Sequence, residues 1–109
     1  MKTRRLNLLP MSMLDPAAEC LKVLAHPARL RMIEILTQGE FSVNEIAALC
    51  QLPPHQACEH LRLLKGHGHL GARRNGRLVY YRIADPRLPQ LLQCIRGTCR
   101  KSNRSVPRS

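Results

Sequence analysis

The sequence predicts a mainly α-helical domain of about five helices carrying one small β-hairpin, and three observations lead there. Apolar residues recur at helical spacing in successive segments. Two of these, residues 43–50 and 54–65, flank Gln51-Leu52-Pro53-Pro54, where two residues without an amide hydrogen forbid a continuous helix. Beyond them, Asn75-Gly76 stands among alternating β-rich residues as a hairpin turn. The order is helix, turn, helix, wing. With 109 residues the chain is read as one domain, and at that size roughly 60 to 70% of the unfolded surface can be buried.

Residues 1–14 lack periodicity and are expected to be a flexible N-terminal arm, with the folded domain spanning 15–97. Asp15-Pro16 has the form of a helix start, with Asp as cap and Pro in the first turn. Leu21, Val23 and Leu24 form the apolar side of this first helix. His26-Pro27 ends it, and Pro27 opens a second helix that runs toward Gly39. Leu30, Met32, Ile33, Ile35 and Leu36 give that helix a broad apolar face, leaving Arg29, Arg31 and Glu34 outside. Ser42 followed by Glu45 is a capping box that starts the third helix before Ile46, Ala47 and Leu49. Pro54 fits the first turn of the fourth, whose inward stripe is Ala57, Leu61 and Leu64. Gly66 and Gly68 permit its exit, Leu70 begins a strand, and Leu78 to Tyr81 return it. Asp85-Pro86 repeats the cap-plus-proline start of a last helix built on Leu88, Leu91, Leu92 and Ile95, which Gly97 is expected to end. Residues 98–109 read as a basic disordered tail.

Eighteen Lys and Arg against seven Asp and Glu leave a formal charge of +11, the electrostatic footprint of a polyanion-binding domain. Part of the excess lies in the tails, but Arg73, Arg74, Arg77 and Arg82 fall within the single hairpin. Double-stranded DNA is the partner this predicts: a second helix rich in hydrogen-bonding side chains fits a major groove while a basic hairpin follows the backbone. On that helix Gln56 suits adenine, Arg62 and Lys65 reach phosphate, and His55 or His60 donates to either. Glu59 either accepts from cytosine or orients a neighbouring cation. Ser42 is included among the contacts, and Arg73, Arg74 and Arg77 are expected on phosphates or in the minor groove. DNA binding of this kind needs no cofactor.

No apolar run approaches the ~18 residues of a membrane span, and the N-terminal segment lacks an apolar signal core, so a cytoplasmic protein without membrane contact is expected. Five cysteines, an odd number, point to free thiols.

Three runs in order carry a family resemblance: Leu24-Ala25-His26-Pro27-Ala28-Arg29-Leu30-Arg31, the helix-turn-helix ending in His60-Leu61-Arg62-Leu63-Leu64, and Gly76-Arg77-Leu78-Val79-Tyr80-Tyr81-Arg82-Ile83. Together they resemble the ArsR/SmtB family of winged helix-turn-helix repressors over residues 15–96. The resemblance implies a homodimer built through the first and last helices, bound to a palindromic operator and released by a metal ion or other thiol-reactive inducer. Two family sensor sites are missing here. Where the third-helix thiolate motif should stand, Phe41-Ser42-Val43-Asn44-Glu45 has no sulfur. Of the last-helix zinc site Asp85 remains, but Arg87 replaces the His, and Thr98 and Lys101 occupy the later ligand positions.

Cys20, on the first helix, and Cys94 with Cys99, on or just past the last, are the thiols that an implied dimer would bring near one another. Such thiolates suit As(III), Cd, Pb, Hg or Cu(I), or oxidation to a disulfide or polysulfide. Cys50 and Cys58 read equally as small apolar fillers, although Cys58 in the recognition helix could act as a thiol brake. The alternative is a factor of the same fold without a small inducer, regulated by abundance or a protein partner. An enzyme is not expected: His55 and Cys58 share one helix, but no oxyanion motif or Gly-rich pocket accompanies them.

Overall fold

A computed structural model describes the backbone of residues 5–105 and the side chains of residues 5–97. The elements run α1 (Met11–Leu24), α2 (Pro27–Leu36), β1 (Phe41–Ser42), α3 (Val43–Cys50), α4 (Pro54–Gly66), β2 (Leu70–Asn75), β3 (Leu78–Ile83) and α5 (Leu88–Ser105). Met32, Ile33, Ile46, Leu61 and Leu64 are the largest fully buried side chains, so the core lies where α2, α3 and α4 meet. Leu70 and Tyr81 close it from the sheet side, Leu88 and Leu92 from α5. Helix α2 therefore buries Met32, Ile33 and Leu36 of its predicted apolar face and keeps Arg31 exposed.

Helix α1 starts at Met11, with extended Pro10 as its cap residue, four residues before the expected Asp15 start. Pro10 accepts the first bonds, from the amides of Met13 and Leu14 at 2.9 and 3.2 Å, and Pro16 lies inside the helix. A proline there removes one backbone bond but leaves good helix formers on both sides, and that loss did not stop the helix. At the other end of the chain, α5 passes through Gly97 to Ser105. Glycine permits a left-handed exit without requiring one, and residues 98–105 contain no proline; Pro107 is the first breaker. The expected tail thus contributes its first part to a helix, and residues 106–109 lie outside the described ones.

The sheet has three strands in the order β1-β3-β2, one more than the expected hairpin. Strand β1 pairs Phe41 with Tyr81 and Ser42 with Tyr80, which ties the start of α3 to the wing. Asn75 pairs with Leu78 in the β2–β3 ladder, so the turn residues are Gly76 and Arg77 rather than Asn75 and Gly76. Of these two turn residues Gly76 alone has positive φ, at 66°, the pattern of a type II′ turn with glycine first.

Between α3 and α4, Gln51 adopts the left-handed conformation at φ 58° and Leu52 donates back to the Ala47 carbonyl at 3.0 Å. This closes α3 and turns the chain into α4 before Pro53 and Pro54.

Candidate nucleic-acid interface

Pro53 is held extended and Pro54 takes the first turn of α4, so the helix leaves the turn with His55, Gln56 and Glu59 facing solvent. The buried stripe Ala57, Leu61 and Leu64 anchors the opposite side in the core. Arg62 and Lys65 are exposed further along. They look across a cleft of about 670 Å³ between α4 and the hairpin, lined also by Cys58, Arg73, Arg74 and Tyr81. Arg74 and Arg77 are exposed on the wing, Arg77 at its tip. Among the described residues Arg62, Lys65, Arg74 and Arg77 have no ion-pair partner. Three of these unneutralised cations, Arg62, Lys65 and Arg74, border one groove beside a polar helix face, with Arg77 at the wing tip beyond it, an arrangement that suits a phosphate backbone.

Arg73 is arranged differently from its neighbours. Its guanidinium donates to the Glu40 carboxylate at 2.9 Å and lies 4.7 Å from the centre of the Tyr80 ring. It braces the wing against the loop before β1, and a phosphate would have to compete with Glu40 for it. Gly71 serves the wing in another way: a Cβ there would fall 2.9 Å from the Arg82 guanidinium, so the bare backbone lets Arg82 lie across β2.

Two expected DNA contacts are structural. Ser42 is 4% exposed; its hydroxyl accepts from the Glu45 amide at 3.2 Å while the Glu45 carboxylate accepts from the Ser42 amide at 2.8 Å. The capping box read in the sequence is complete, and it leaves the hydroxyl inside the fold. His60 turns toward α2 and is half-buried. Its Nδ1 accepts from Arg29 Nε at 3.1 Å, and its ring lies 4.8 Å from that of His26. Burial first, then the charge of Arg29 and His26, holds its pKa below the ordinary value, with Glu59 opposing. The reason is angular: position 60 precedes the buried Leu61, on the shoulder of the helix that faces α2. Arg29, expected outside, also donates to the Val23 carbonyl at 3.0 Å and links the ends of α1 and α2 to α4. The sequence held no periodic signal for this brace, nor for Glu40 and Tyr80 around Arg73.

The thiols are dispersed. Cys58 is half-buried in the cleft wall. Cys50, at the end of α3, has its thiol pKa pushed up by burial. Cys20 is half-buried in a crevice between α1 and α5, Cys94 is exposed on α5, and the side chain of Cys99 lies outside the described residues. Among the described residues no three His, Cys, Asp or Glu side chains lie together in a metal-holding group. Asp85 is engaged by Arg87, which donates Nε to Oδ1 at 3.0 Å and a terminal nitrogen to Oδ2 at 2.9 Å and holds the carboxyl below its usual range. The residue that replaces the zinc-site His therefore occupies the remaining carboxylate.

A family model described as a helix-turn-helix domain matches residues 24–68. The transcriptional repressor SmtB of Mycobacterium tuberculosis is 34% identical over 83 residues, 76% of this chain and 62% of that protein. The chain thus spans less than two thirds of the length of the curated relatives it matches first. Among solved structures, the homodimeric winged helix-turn-helix DNA-binding domain Mb0332 of Mycobacterium bovis, described as a possible ArsR-family regulator, superimposes with a TM-score of 0.77 at 30% identity, covering 91% of this chain and 92% of that one. The antimony-specific transcriptional repressor AntR superimposes at 0.83 with 26% identity, covering 90% and 89%. No helix among the described residues is long and apolar enough to cross a membrane. With the capped helix-turn-helix, the wing and the basic cleft between them, the chain belongs to the ArsR/SmtB family of winged helix-turn-helix transcriptional regulators.

Proposed function

We propose that this protein is a homodimeric repressor that binds a palindromic operator and leaves it when a thiol-reactive inducer arrives. The carrying observation is the cleft between α4 and the wing, where Arg62, Lys65 and Arg74 have no ion-pair partner among the described residues and stand beside the exposed His55, Gln56 and Glu59. In this reading α4 enters a major groove, Gln56 and its neighbours meet base edges, and Arg74 and Arg77 follow the backbone. Two copies related by a two-fold axis place their α4 helices about 34 Å apart, which suits a palindrome. An exposed apolar surface on and before α1, including Leu9, Met11, Met13 and Leu21, supports a partner copy there.

The inducer is a soft metal or metalloid ion, or an oxidant or reactive sulfur species, acting on Cys20, Cys94 and Cys99. Cys20 and Cys94 lie on α1 and α5, the helices the family pairs between subunits. AntR, of the same fold, is a repressor specific for antimony, an element of this thiol-seeking class. The test is native mass measurement of the reduced protein with As(III), Cd(II), Hg(II) and persulfide, followed by operator binding with Cys94 and Cys99 replaced by Ser. Bound inducer with release lost in the double variant supports the reading. Release unchanged in that variant refutes the sensor, and a monomer that binds DNA without preference refutes the operator.

A further inference from the structure

Helix α4 carries a nucleophile that base reading does not use. Cys58 is half-buried and borders the cleft between α4 and the wing. A thiol serving only as filler would be walled in like its neighbour Ala57, which is 0% exposed. Arg62 and Lys65 follow Cys58 at four and seven residues, so one side of the helix presents all three to the cleft, and Arg74 reaches it from β2. The three cations have no ion-pair partner, and no carboxylate lines the cleft, among the described residues.

A second side chain points to a ligand in the same place. Tyr81 is 4% exposed and lines the cleft. Its hydroxyl has no hydrogen-bond partner among the described residues, and a phenol this deeply buried ordinarily finds one. Burial first pushes its pKa up, the Cys58 sulfur adds to that, and Arg62 opposes it. Thiol, phenol and guanidinium are thus within electrostatic reach of one another.

We propose that Cys58 is a modification site: it exchanges with the disulfide of a small acidic thiol and keeps one half as a mixed disulfide in the cleft, which denies the cleft to duplex DNA. The Cys58 thiolate, its proton given to water, attacks one sulfur of the reagent. A new S–S bond forms, the old one breaks, and the other half leaves as a thiolate that takes up a proton. The reagent is itself the oxidant, and excess thiol reverses the step. At ~30 Å³ per water-sized group a cleft of about 670 Å³ holds roughly twenty non-hydrogen atoms, the size of a tripeptide thiol. Its carboxylates pair with Arg62, Lys65 or Arg74, and the Tyr81 hydroxyl donates to a carboxylate or amide oxygen. The bound half then occupies the cations that a phosphate backbone needs. Modification stands whether or not the protein reads DNA; the block on the duplex rests on the function proposed above.

The experiment exposes the reduced full-length protein, carrying Cys94→Ser and Cys99→Ser, to oxidised glutathione or to cystamine, a cationic disulfide, and locates adducts by peptide mass. Each rate is divided by that of a small neutral thiol with the same reagent. Cys58 takes glutathione in preference to cystamine, by roughly tenfold at low ionic strength and less in high salt. Arg62→Gln with Lys65→Gln, both at exposed positions, removes most of that preference. Tyr81→Phe, which keeps the ring, lowers the equilibrium yield of adduct roughly fivefold, the worth of one hydrogen bond. In fluorescence anisotropy the adduct loses a labelled duplex of random sequence, dithiothreitol restores binding, and Cys58→Ser does not respond to the disulfide. No adduct at Cys58, equal rates for the two reagents, a preference that survives the paired Gln substitutions, or an unchanged yield in Tyr81→Phe would each overturn the proposal. So would a Cys58 disulfide to another protein thiol in place of the adduct, or an adduct that binds the duplex as the reduced protein does. A reduced protein that binds no duplex would instead sink the DNA reading, and the block with it, while the adduct at Cys58 still forms.

Discussion

Arg29 offers the sharpest perturbation, because one side chain links α1, α2 and α4 through two hydrogen bonds, to the Val23 carbonyl at 3.0 Å and to His60 Nδ1 at 3.1 Å. Bonds from a charged donor contribute more than neutral ones, but this group is only half-buried, so about 1 kcal/mol each is a fair value. Arg29→Met, which keeps the apolar stem, should then cost about 2 kcal/mol near pH 8. The His60 bond exists only while Nδ1 is unprotonated. The fold holds the His60 pKa below its ordinary 6.5, first through burial and then through Arg29 and His26, against the pull of Glu59. The contribution of neutral His60 is therefore complete above 6.5 and disappears as pH falls through the depressed folded value. Wild type should lose stability as pH falls below 6.5 and through the depressed His60 value, while the cost of Arg29→Met shrinks toward about 1 kcal/mol, the Val23 bond alone, once His60 is protonated. Urea unfolding of both proteins across this range measures the difference directly. An Arg29→Met cost that is the same at both ends would show that the His60 link carries no stability.

Three further outcomes follow from local geometry. Gln51→Gly relieves a left-handed backbone at φ 58° and should stabilise by about 1 kcal/mol, read as a higher urea midpoint at unchanged slope; a lower midpoint would mean that the Gln side chain holds the turn. Ser42→Ala removes one half of the capping box and should destabilise by about 1 kcal/mol while leaving operator preference intact; an altered preference in a binding-site selection would return Ser42 to the DNA surface. In fluorescence anisotropy Arg77→Ala should weaken binding to all sequences alike and lower the salt slope by about one unit, whereas Gln56→Ala should change which sequences are preferred. A Gln56 variant with the original preference would remove its base-reading role.

How far the primary structure speaks differs from residue to residue. Apolar spacing marked Met32, Ile33, Leu36, Leu61 and Leu64 as interior, since helical period and burial are the same fact seen twice. Ser42 with Glu45 was legible because a cap is made within four residues. Helix ends were less so. Pro16 and Gly97 are local preferences of a few kcal/mol at most, and both helices ran past them.

The surface proposed to read DNA was visible as composition, an Arg-rich hairpin beside a polar helix, because exposure of charge needs no knowledge of packing. Which members of it are free is a different matter. Arg73 meets Glu40, 33 residues away, and His60 meets Arg29, 31 residues away; both are settled only when α2, α4 and the wing dock. The same holds for β1, whose two residues become a strand through Tyr80 and Tyr81. Periodicity, capping and charge are properties of short stretches and survive in one dimension. Partnership across the core depends on three-dimensional distances, and no stretch of the chain contains them.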